Sequence, residues 1–418
     1  MSVSLRSVVR PAAIGLALLL LLTGVRAAHA SYEEFQTFDV GRQEEDDENL
    51  LDHVLVMSPE DWLDEWRTSP RAFRSLQGCF TSGQWYIDNE LKLRVPMGDT
   101  TYMDLNIRDV SDDESVYGWT QFDLRFPVAG TGLWGLRFRP TFDKSRQDVA
   151  AMYDRGNERS RFQLSAVMGF EDLFNKLWAL RQTRVGDDAE PYEKHPFEPA
   201  LRLAWRGAGP HAEIAGTWLT PARKRIDTRD PALRRHERLW GTKSNATVSQ
   251  AVGPWTAAVR AQMAQVSKFA VWEQRLGDHH EFARRWRIEL LLSRQLTPRV
   301  RFTARGFYQE RTQLYRPPLG NGALSIIDRM PMVELSFPMR SDWNGRAGLM
   351  RSRITVVDDS RSSVFTWGTR VESRGFISIG KQFGRVRVQG TECFELDHEQ
   401  YSVAFHHDKG FVHIQTSF

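Results

Sequence analysis

The amino-acid sequence predicts an all-β chain that closes into an antiparallel transmembrane β-barrel of about 18–20 strands. Runs of alternating apolar and polar side chains recur along the chain, close to the roughly 9–11 residues that a tilted membrane strand needs. The connections between these runs alternate between short and long. The chain also finishes on an aromatic residue, Phe418, that still belongs to an alternating run.

The first 30 residues have the pattern of a secretory signal peptide. Arg6 and Arg10 give a positive start, and residues 11–25 form an apolar run too short to span a bilayer comfortably. Ala28-His29-Ala30 is a small-x-small cleavage site. We therefore expect residues 1–30 to be removed before Ser31, and an uncleaved N-terminal anchor is the alternative.

Residues 31–70 are strongly acidic, with thirteen Asp and Glu against Arg42 and Arg67. The beginning of this segment is typical of a solvated or disordered chain. Ser58-Pro59-Glu60-Asp61 then predicts a helix start, so we expect a short amphipathic helix over about 58–70 with Trp62 and Trp66 on one face. The segment is a plug for the barrel, a periplasmic contact for a partner protein, or an unstructured tail.

Residues 71–418 are assigned to the barrel. In residues 285–293, for example, Trp286, Ile288, Leu290 and Leu292 alternate with Arg285, Arg287, Glu289 and Ser293. The last run has Val412, Ile414, Thr416 and Phe418 on one face. Residues 71–80 could add a strand to give 20, whereas a helical 172–183 would reduce the count to 18.

The connections give a second, independent signal. Short turns are predicted at 96–99, 129–131, 207–210, 253–254, 297–298 and about 338–344, and longer charged segments at 109–116, 143–159, 184–196, 220–244, 267–282 and 310–329. A soluble β-sandwich has no reason for this rhythm, and no repeat of about 40–50 residues indicates a propeller.

Together the runs, the rhythm and the terminal aromatic resemble a bacterial outer-membrane β-barrel protein of the porin-like kind. The resemblance implies the outer membrane of a Gram-negative bacterium, periplasmic short turns and external long loops. It also implies that Phe418 is an assembly signal for the barrel-assembly machinery. The sequence contains no motif of a narrower family.

Composition agrees with this class. A net charge of +3 and a mean hydropathy of −0.47 are typical of a soluble protein, but a barrel conceals its membrane band in alternation. Fourteen Trp and 24 Phe are enough for aromatic girdles.

Cys79 and Cys393 form no disulfide framework, zinc motif or haem motif, and Gly-x-Ser-x-Gly is absent, so we expect no cofactor, no metal and no enzymatic activity.

The polar face of the runs should point into the lumen, where basic candidates outnumber acidic ones. The arginines expected there are Arg94, Arg108, Arg125, Arg137, Arg139, Arg202, Arg206, Arg285, Arg287, Arg301, Arg305, Arg385 and Arg387. They form a pathway for anionic solutes, or they belong to ion-pair ladders that stiffen the wall.

Three functions remain open. The first is a porin-like channel that passes anionic solutes. The second is a sheath that encloses a partner protein, as in a porin–cytochrome conduit whose haems are on the partner. The third is an outer-membrane enzyme or adhesin. We expect contacts with outer-membrane lipid and with lipopolysaccharide, whose phosphates the basic segment 222–238 could touch, and no contact with nucleic acid.

Overall fold

The computed structural model describes residues 71–417 except 81–84, 99, 113–115, 129–131, 139–146, 157–159, 172–187, 190–191, 195–196, 229–233, 273–277, 316–321, 341, 359–364 and 397–405. Within these residues, no helix is long and apolar enough to cross a membrane. The strands, in chain order, are β1 (Ala72–Phe80), β2 (Trp85–Pro96), β3 (Tyr102–Asp112), β4 (Val116–Val128), β5 (Gly132–Phe138), β6 (Gln147–Arg155), β7 (Phe162–Glu171), β8 (Asp188–Ala189), β9 (Tyr192–Lys194), β10 (Phe197–Arg206), β11 (Pro210–Thr228), β12 (Arg235–Val252), β13 (Trp255–Trp272), β14 (Asp278–Thr297), β15 (Val300–Tyr315), β16 (Gly322–Pro338), β17 (Trp343–Asp358), β18 (Phe365–Phe383), β19 (Val386–Glu395) and β20 (His406–Ser417).

The strands pair antiparallel in chain order, and the last strand returns to the first. β7 pairs with β10, and β20 pairs with β1, so that β1–β7 and β10–β20 close into an 18-stranded barrel. The short strands β8 and β9 pair with the far end of β11. The predicted barrel is therefore confirmed, at the lower end of the predicted strand count. Residues 71–80 do supply a strand, and residues 172–183 lie outside the described part of the chain.

Alternation along each strand separates an apolar outer face from a polar lumen. Residues directly opposite each other in an antiparallel pair share a face. Leu290, Leu349 and Ile377 are exposed on the outside at 50%, 57% and 50%, whereas Glu289 and Arg346 point inward and are buried. Large aromatic side chains are exposed on the outside next to the short turns, as a membrane-interface girdle requires: Trp134, Phe162, Trp205, Phe337, Trp343 and Phe383.

The strands of one half of the barrel are much longer than those of the other half. β1–β7 have 7 to 13 residues, close to what a membrane crossing needs, whereas β11–β18 have 16 to 20. The extra length lies at the long-loop end, so this half extends beyond the membrane as a curved sheet.

The strands correct the predicted long loops. Most of 220–244, 267–282 and 310–329 belongs to this extension, and most of 109–116 belongs to β3 and β4. Residues 143–159 contain β6, and residues 184–196 contain β8 and β9. Where a strand leaves the membrane, both of its faces meet water, and the apolar-polar alternation that identifies a strand disappears. With β6 in place, the connection 156–161 falls at the short-turn end, and the alternation of short and long connections continues through this region.

The barrel closes along the β1–β20 seam, from the pair Ala72↔Ser417 to the pair Phe80↔Lys409. Phe411 of β20 lies over Gly78 of β1 and is 2% exposed. A Cβ atom at Gly78 would be 2.6 Å from Cδ1 of Phe411, so the ring occupies the space that any larger residue would need. Leu76 belongs to the same buried apolar cluster, which seals the lumen side of the seam.

We expect Gly78→Val to destabilise the barrel by about 1–3 kcal/mol, because overpacking displaces the Phe411 ring from the seam. Gly390→Val in β19 is the matched control, since a Cβ at Gly390 meets nothing within 4 Å. Urea unfolding of the two refolded variants, followed by tryptophan fluorescence, measures the difference. Equal unfolding midpoints would contradict this account of the seam.

Candidate functional site: the lumen wall

The lumen wall of β2–β5 carries two arginines that each bind a carboxylate directly opposite. Arg94 donates from Nε and Nη2 to both carboxylate oxygens of Asp104, at 2.7 and 2.9 Å. Arg137 holds Asp123 in the same bidentate way, at 2.9 Å for both bonds. A planar guanidinium matches a carboxylate in this geometry, so each pair is locally neutral and rigid.

Ion pairs continue along the wall from β4 to β11. Arg125 on β4 pairs with Asp154 on β6, across β5, and Asp154 also accepts a 2.5 Å hydrogen bond from the Ser165 hydroxyl. Arg202 on β10 holds Glu213 on β11 through bonds of 2.8 and 2.7 Å. This part of the wall is therefore a ladder of ion pairs between strands, one of the two interpretations left open by the sequence.

Asp123 is also approached by two arginines, Arg137 at 2.9 Å and Arg125 at 3.8 Å, but Arg125 has Asp154 as a second carboxylate. On β13–β17, two arginines share one carboxylate. Glu334 lies 2.8 Å from Arg346 and 3.8 Å from Arg305. Glu289 lies 2.7 Å from Arg287 and 3.5 Å from Arg260. Each of these clusters carries one net positive charge.

More cations extend this section of wall, which we call the cationic wall: Lys243, Arg260, Arg285, Arg287, Arg305 and Arg346, with Glu289 and Glu334. Lys243 and Arg285 are both register partners of Ala264, one on each side, so they lie in one row across three strands. By contrast, the Arg94–Asp104 and Arg137–Asp123 pairs on β2–β5 leave no surplus of positive charge.

The shared carboxylates are deeply buried. The side chains of Arg305 and Arg346 are 7% and 5% exposed, and that of Glu334 is 0% exposed. The Arg94–Asp104 pair is more exposed to solvent, because its side chains are 36% and 30% exposed. Because a buried charge is costly without its partner, removing Glu334 would destabilise the barrel far more than removing Asp104 would.

A belt of apolar side chains crosses seven neighbouring strands, from β15 to β20 and on to β1. It consists of Leu76, Phe307, Met330, Met332, Met350, Phe376, Cys393 and Phe411. Arginines cover parts of it: the Arg287 guanidinium lies 4.9 Å from the Phe307 ring, and that of Arg346 lies 5.7 Å from the Phe376 ring. Cation–π stacking thus fixes two of the cationic-wall arginines against the barrel.

Most of the arginines expected in the lumen lie at lumen-facing positions on strands: Arg94, Arg108, Arg125, Arg137, Arg202, Arg206, Arg285, Arg287, Arg301, Arg305 and Arg387. For Arg108 this is a register position, opposite Glu90. Arg139, the helix with Trp62 and Trp66, and Phe418 lie outside the described residues.

The prediction that Arg385 lies on the lumen wall is wrong. It occupies the two-residue turn between β18 and β19, next to Gly384, whose φ of 60° suits a tight hairpin turn. A turn position lies at the rim and not on the wall.

Other wall residues were missed by the sequence reasoning: Arg74, Asp154, Arg311, Asp328, Glu372 and Arg374. Asp154, Arg311 and Asp328 fell within predicted loops. On β18 the signal for lumen-facing residues was the period-2 spacing of Glu372, Arg374, Phe376 and Ser378. Phe376, a large aromatic residue, interrupts this polar face.

Among the described residues, no group of three or more His, Cys, Asp or Glu side chains could hold a metal ion. Cys393 forms no disulfide there and is buried at 0% exposure within the apolar belt.

No protein-family model matches the sequence, and no curated protein matches it either. Among solved structures, OmpT of Vibrio cholerae has a TM-score of 0.37 at 7% identity, with 83% of this chain and 98% of that chain covered. OccK10 (OpdN) of Pseudomonas aeruginosa has a TM-score of 0.36 at 10% identity, covering 84% and 98%. OccAB3 of Acinetobacter baumannii has a TM-score of 0.37 at 6% identity, covering 83% and 97%.

Scores this low carry no argument, and the class follows from the geometry of the chain itself. A closed antiparallel barrel leaves no open sheet edge to lipid, and an apolar outer band surrounds a polar lumen. The protein is an outer-membrane-type, porin-like β-barrel.

We expect Glu334→Gln to lower the free energy of unfolding by about 3–5 kcal/mol, because Arg305 and Arg346 would remain buried without their carboxylate. Asp104→Asn makes the same chemical change beside the half-exposed Arg94, and we expect a loss of about 1 kcal/mol or less. Urea titrations of both refolded barrels compare the two. Similar losses would contradict the assignment of the Glu334 cluster as the buried centre of the wall.

Proposed function

We propose that the protein is a porin-like channel of a Gram-negative outer membrane and that its lumen favours anionic solutes. The barrel geometry supports a channel, because 18 strands enclose a lumen whose wall carries many charged and polar side chains beside the apolar belt. The short turns then face the periplasm and the projecting ends of β11–β18 face outward.

The cationic wall is the observation that carries the anion preference. The Glu289 and Glu334 clusters each contain two arginines for one carboxylate, and Arg285 adds a further positive charge. The one-to-one pairs across the lumen leave no such surplus. Fixed positive charge on one side of a narrow aqueous path raises the local concentration of anions and lowers that of cations.

Arginine suits this role in two ways. It stays charged at every physiological pH, and its fork can hold a carboxylate or phosphate of a passing solute by two hydrogen bonds. The wall carboxylates and aromatic rings hold Arg287 and Arg346 in place, so little side-chain entropy is lost when a solute binds.

We expect Arg285→Gln with Arg287→Gln to lower the chloride-to-potassium permeability ratio by about twofold, since each partly screened charge contributes a few tenths of a kcal/mol. Reversal potentials in planar bilayers under a KCl gradient measure this ratio. The effect should be larger at 0.1 M than at 1 M salt, because the Debye length shrinks from about 10 to about 3 Å.

The matched control changes as many side chains without changing the charge of the wall. Arg94→Gln with Asp104→Asn removes one neutral pair, so we expect the permeability ratio to stay as in the wild type. An unaltered ratio in the arginine double variant would overturn the anion pathway. A barrel that conducts only after a partner protein is added would overturn the channel itself and favour the sheath.

The acidic segment 31–70 is part of the proposal as a plug for this lumen. Its thirteen acids complement the cationic wall, and it precedes β1, whose first residue Ala72 lies at the short-turn end.

We expect deletion of 31–70 to raise single-channel conductance and to reduce closures. Trp62→Ala with Trp66→Ala should give part of that effect if the amphipathic helix seats the plug. Identical conductance of the deletion variant and the full chain would rule the plug out.

A further inference from the structure

Three exposed arginines form a cluster on the outer surface of the barrel, on β16 and β17. Arg329 and Arg353 are directly opposite each other in the register, and Arg351 lies two residues along the same face. Like charges directly opposite in a sheet are destabilising. Within the described part of the chain, none of the three forms an ion pair.

The nearest acidic residue on this face is already engaged. Glu310 of β15 accepts a hydrogen bond of 3.0 Å from the Tyr308 hydroxyl and lies 3.7 Å from Arg284. The arginine cluster therefore has a surplus of positive charge that the described residues of the barrel do not neutralise, in contrast to the paired arginines inside the lumen.

The cluster lies at a defined height on the barrel. Arg329 is eight residues beyond Phe337 along β16, and Arg351 is eight residues beyond Trp343 along β17. Eight residues at about 3.3 Å each and a tilt of about 40° rise roughly 20 Å, close to the height of a membrane band. The side chains between are exposed and apolar: Val333, Leu335 and Leu349.

The cluster thus begins where the apolar outer band ends, on the side of the long loops. In the orientation proposed above, this is the level of the outer-leaflet headgroups. Tyr308 lies beside Arg329 in the register and supplies an interfacial aromatic residue there.

A second pair repeats the pattern further out. Arg223 of β11 and Arg238 of β12 are directly opposite each other and exposed, and the register continues the row with Lys194 of β9. The Arg238 guanidinium lies 5.5 Å from the Trp240 ring. These residues belong to the basic segment 222–238 that the sequence singles out.

We propose that Arg329, Arg351 and Arg353 bind the phosphate groups of lipopolysaccharide in the outer leaflet, and that Arg223 and Arg238 on β11 and β12 form a second, separate phosphate-binding pair. Phosphate dianions are the ligands that a guanidinium pair chelates best, and their charge removes the cross-strand repulsion. The inference rests on the orientation of the barrel in the outer membrane and is independent of conduction through the lumen.

The test compares lipopolysaccharide binding by the full-length refolded barrel and its variants in detergent, measured as thermal stabilisation over a titration. We expect Arg329→Gln with Arg353→Gln to weaken the apparent affinity by roughly tenfold, since charge-assisted hydrogen bonds to phosphate are lost. Arg294→Gln is the matched control. That arginine is also exposed on the outer face but lies at the short-turn end, over the Trp255 ring at 5.0 Å.

Two ligand controls identify the source of the phosphate. Dephosphorylated lipopolysaccharide should stabilise the wild type no more than it stabilises the double variant. Inorganic phosphate at the same concentration should give no stabilisation. Equal affinities of the wild type and the double variant would overturn the proposal, as would full binding of the dephosphorylated lipid. Stabilisation by inorganic phosphate alone would also overturn it, because the cluster would then be a site for soluble anions.

Discussion

Closure of the sheet along the β1–β20 seam is the constraint on which the rest of the structure depends. In a bilayer every backbone donor and acceptor must find its partner inside the protein, and an open sheet edge would leave a row of them unpaired. The seam supplies those partners from Ala72 to Phe80. Phe411 fills the space above Gly78 and excludes water from the lumen side of this last interface.

Closure also decides how charge is distributed. Once the sheet is a cylinder, every second residue of each strand must point into a crowded lumen, and the arginines there approach one another. Arg94, Arg125, Arg137 and Arg202 on β2–β10 are matched by Asp104, Asp123, Asp154 and Glu213, whereas Arg260, Arg287, Arg305 and Arg346 share Glu289 and Glu334. The same carboxylates that stabilise the wall therefore also leave the positive surplus that would act on a solute. In the proposed channel, one set of side chains therefore serves both stability and anion preference.

The membrane-embedded part of the fold is predictable from the sequence, and the part outside the membrane is not. Leu290 and Leu292 alternate with Glu289 and Ser293 because lipid and lumen impose opposite demands on successive residues. The sequence there therefore predicts the strand, the side chains that face the lumen, and the closure of the barrel. Arg311 and Asp328 continue the same strands above the membrane, where neither face must be apolar, and they read as loop. Ion pairing is likewise hidden from the sequence, because the partners of Arg125 and Arg305, Asp154 and Glu334, lie on other strands and depend on register.

The contrast between the two faces of β16 and β17 separates arginines held by a carboxylate of the barrel from arginines without one among the described residues. Arg346 points inward, is 5% exposed and lies 2.8 Å from Glu334, which it shares with Arg305. Arg329 and Arg353 belong to the same two strands but point outward, oppose each other and form no ion pair among the described residues. A β-sheet tolerates such a pair when its surroundings supply the anion. On the outer surface of a barrel, at the upper limit of the apolar band, those surroundings are the lipid headgroups, so the position of this like-charged pair indicates both the ligand and the leaflet that provides it.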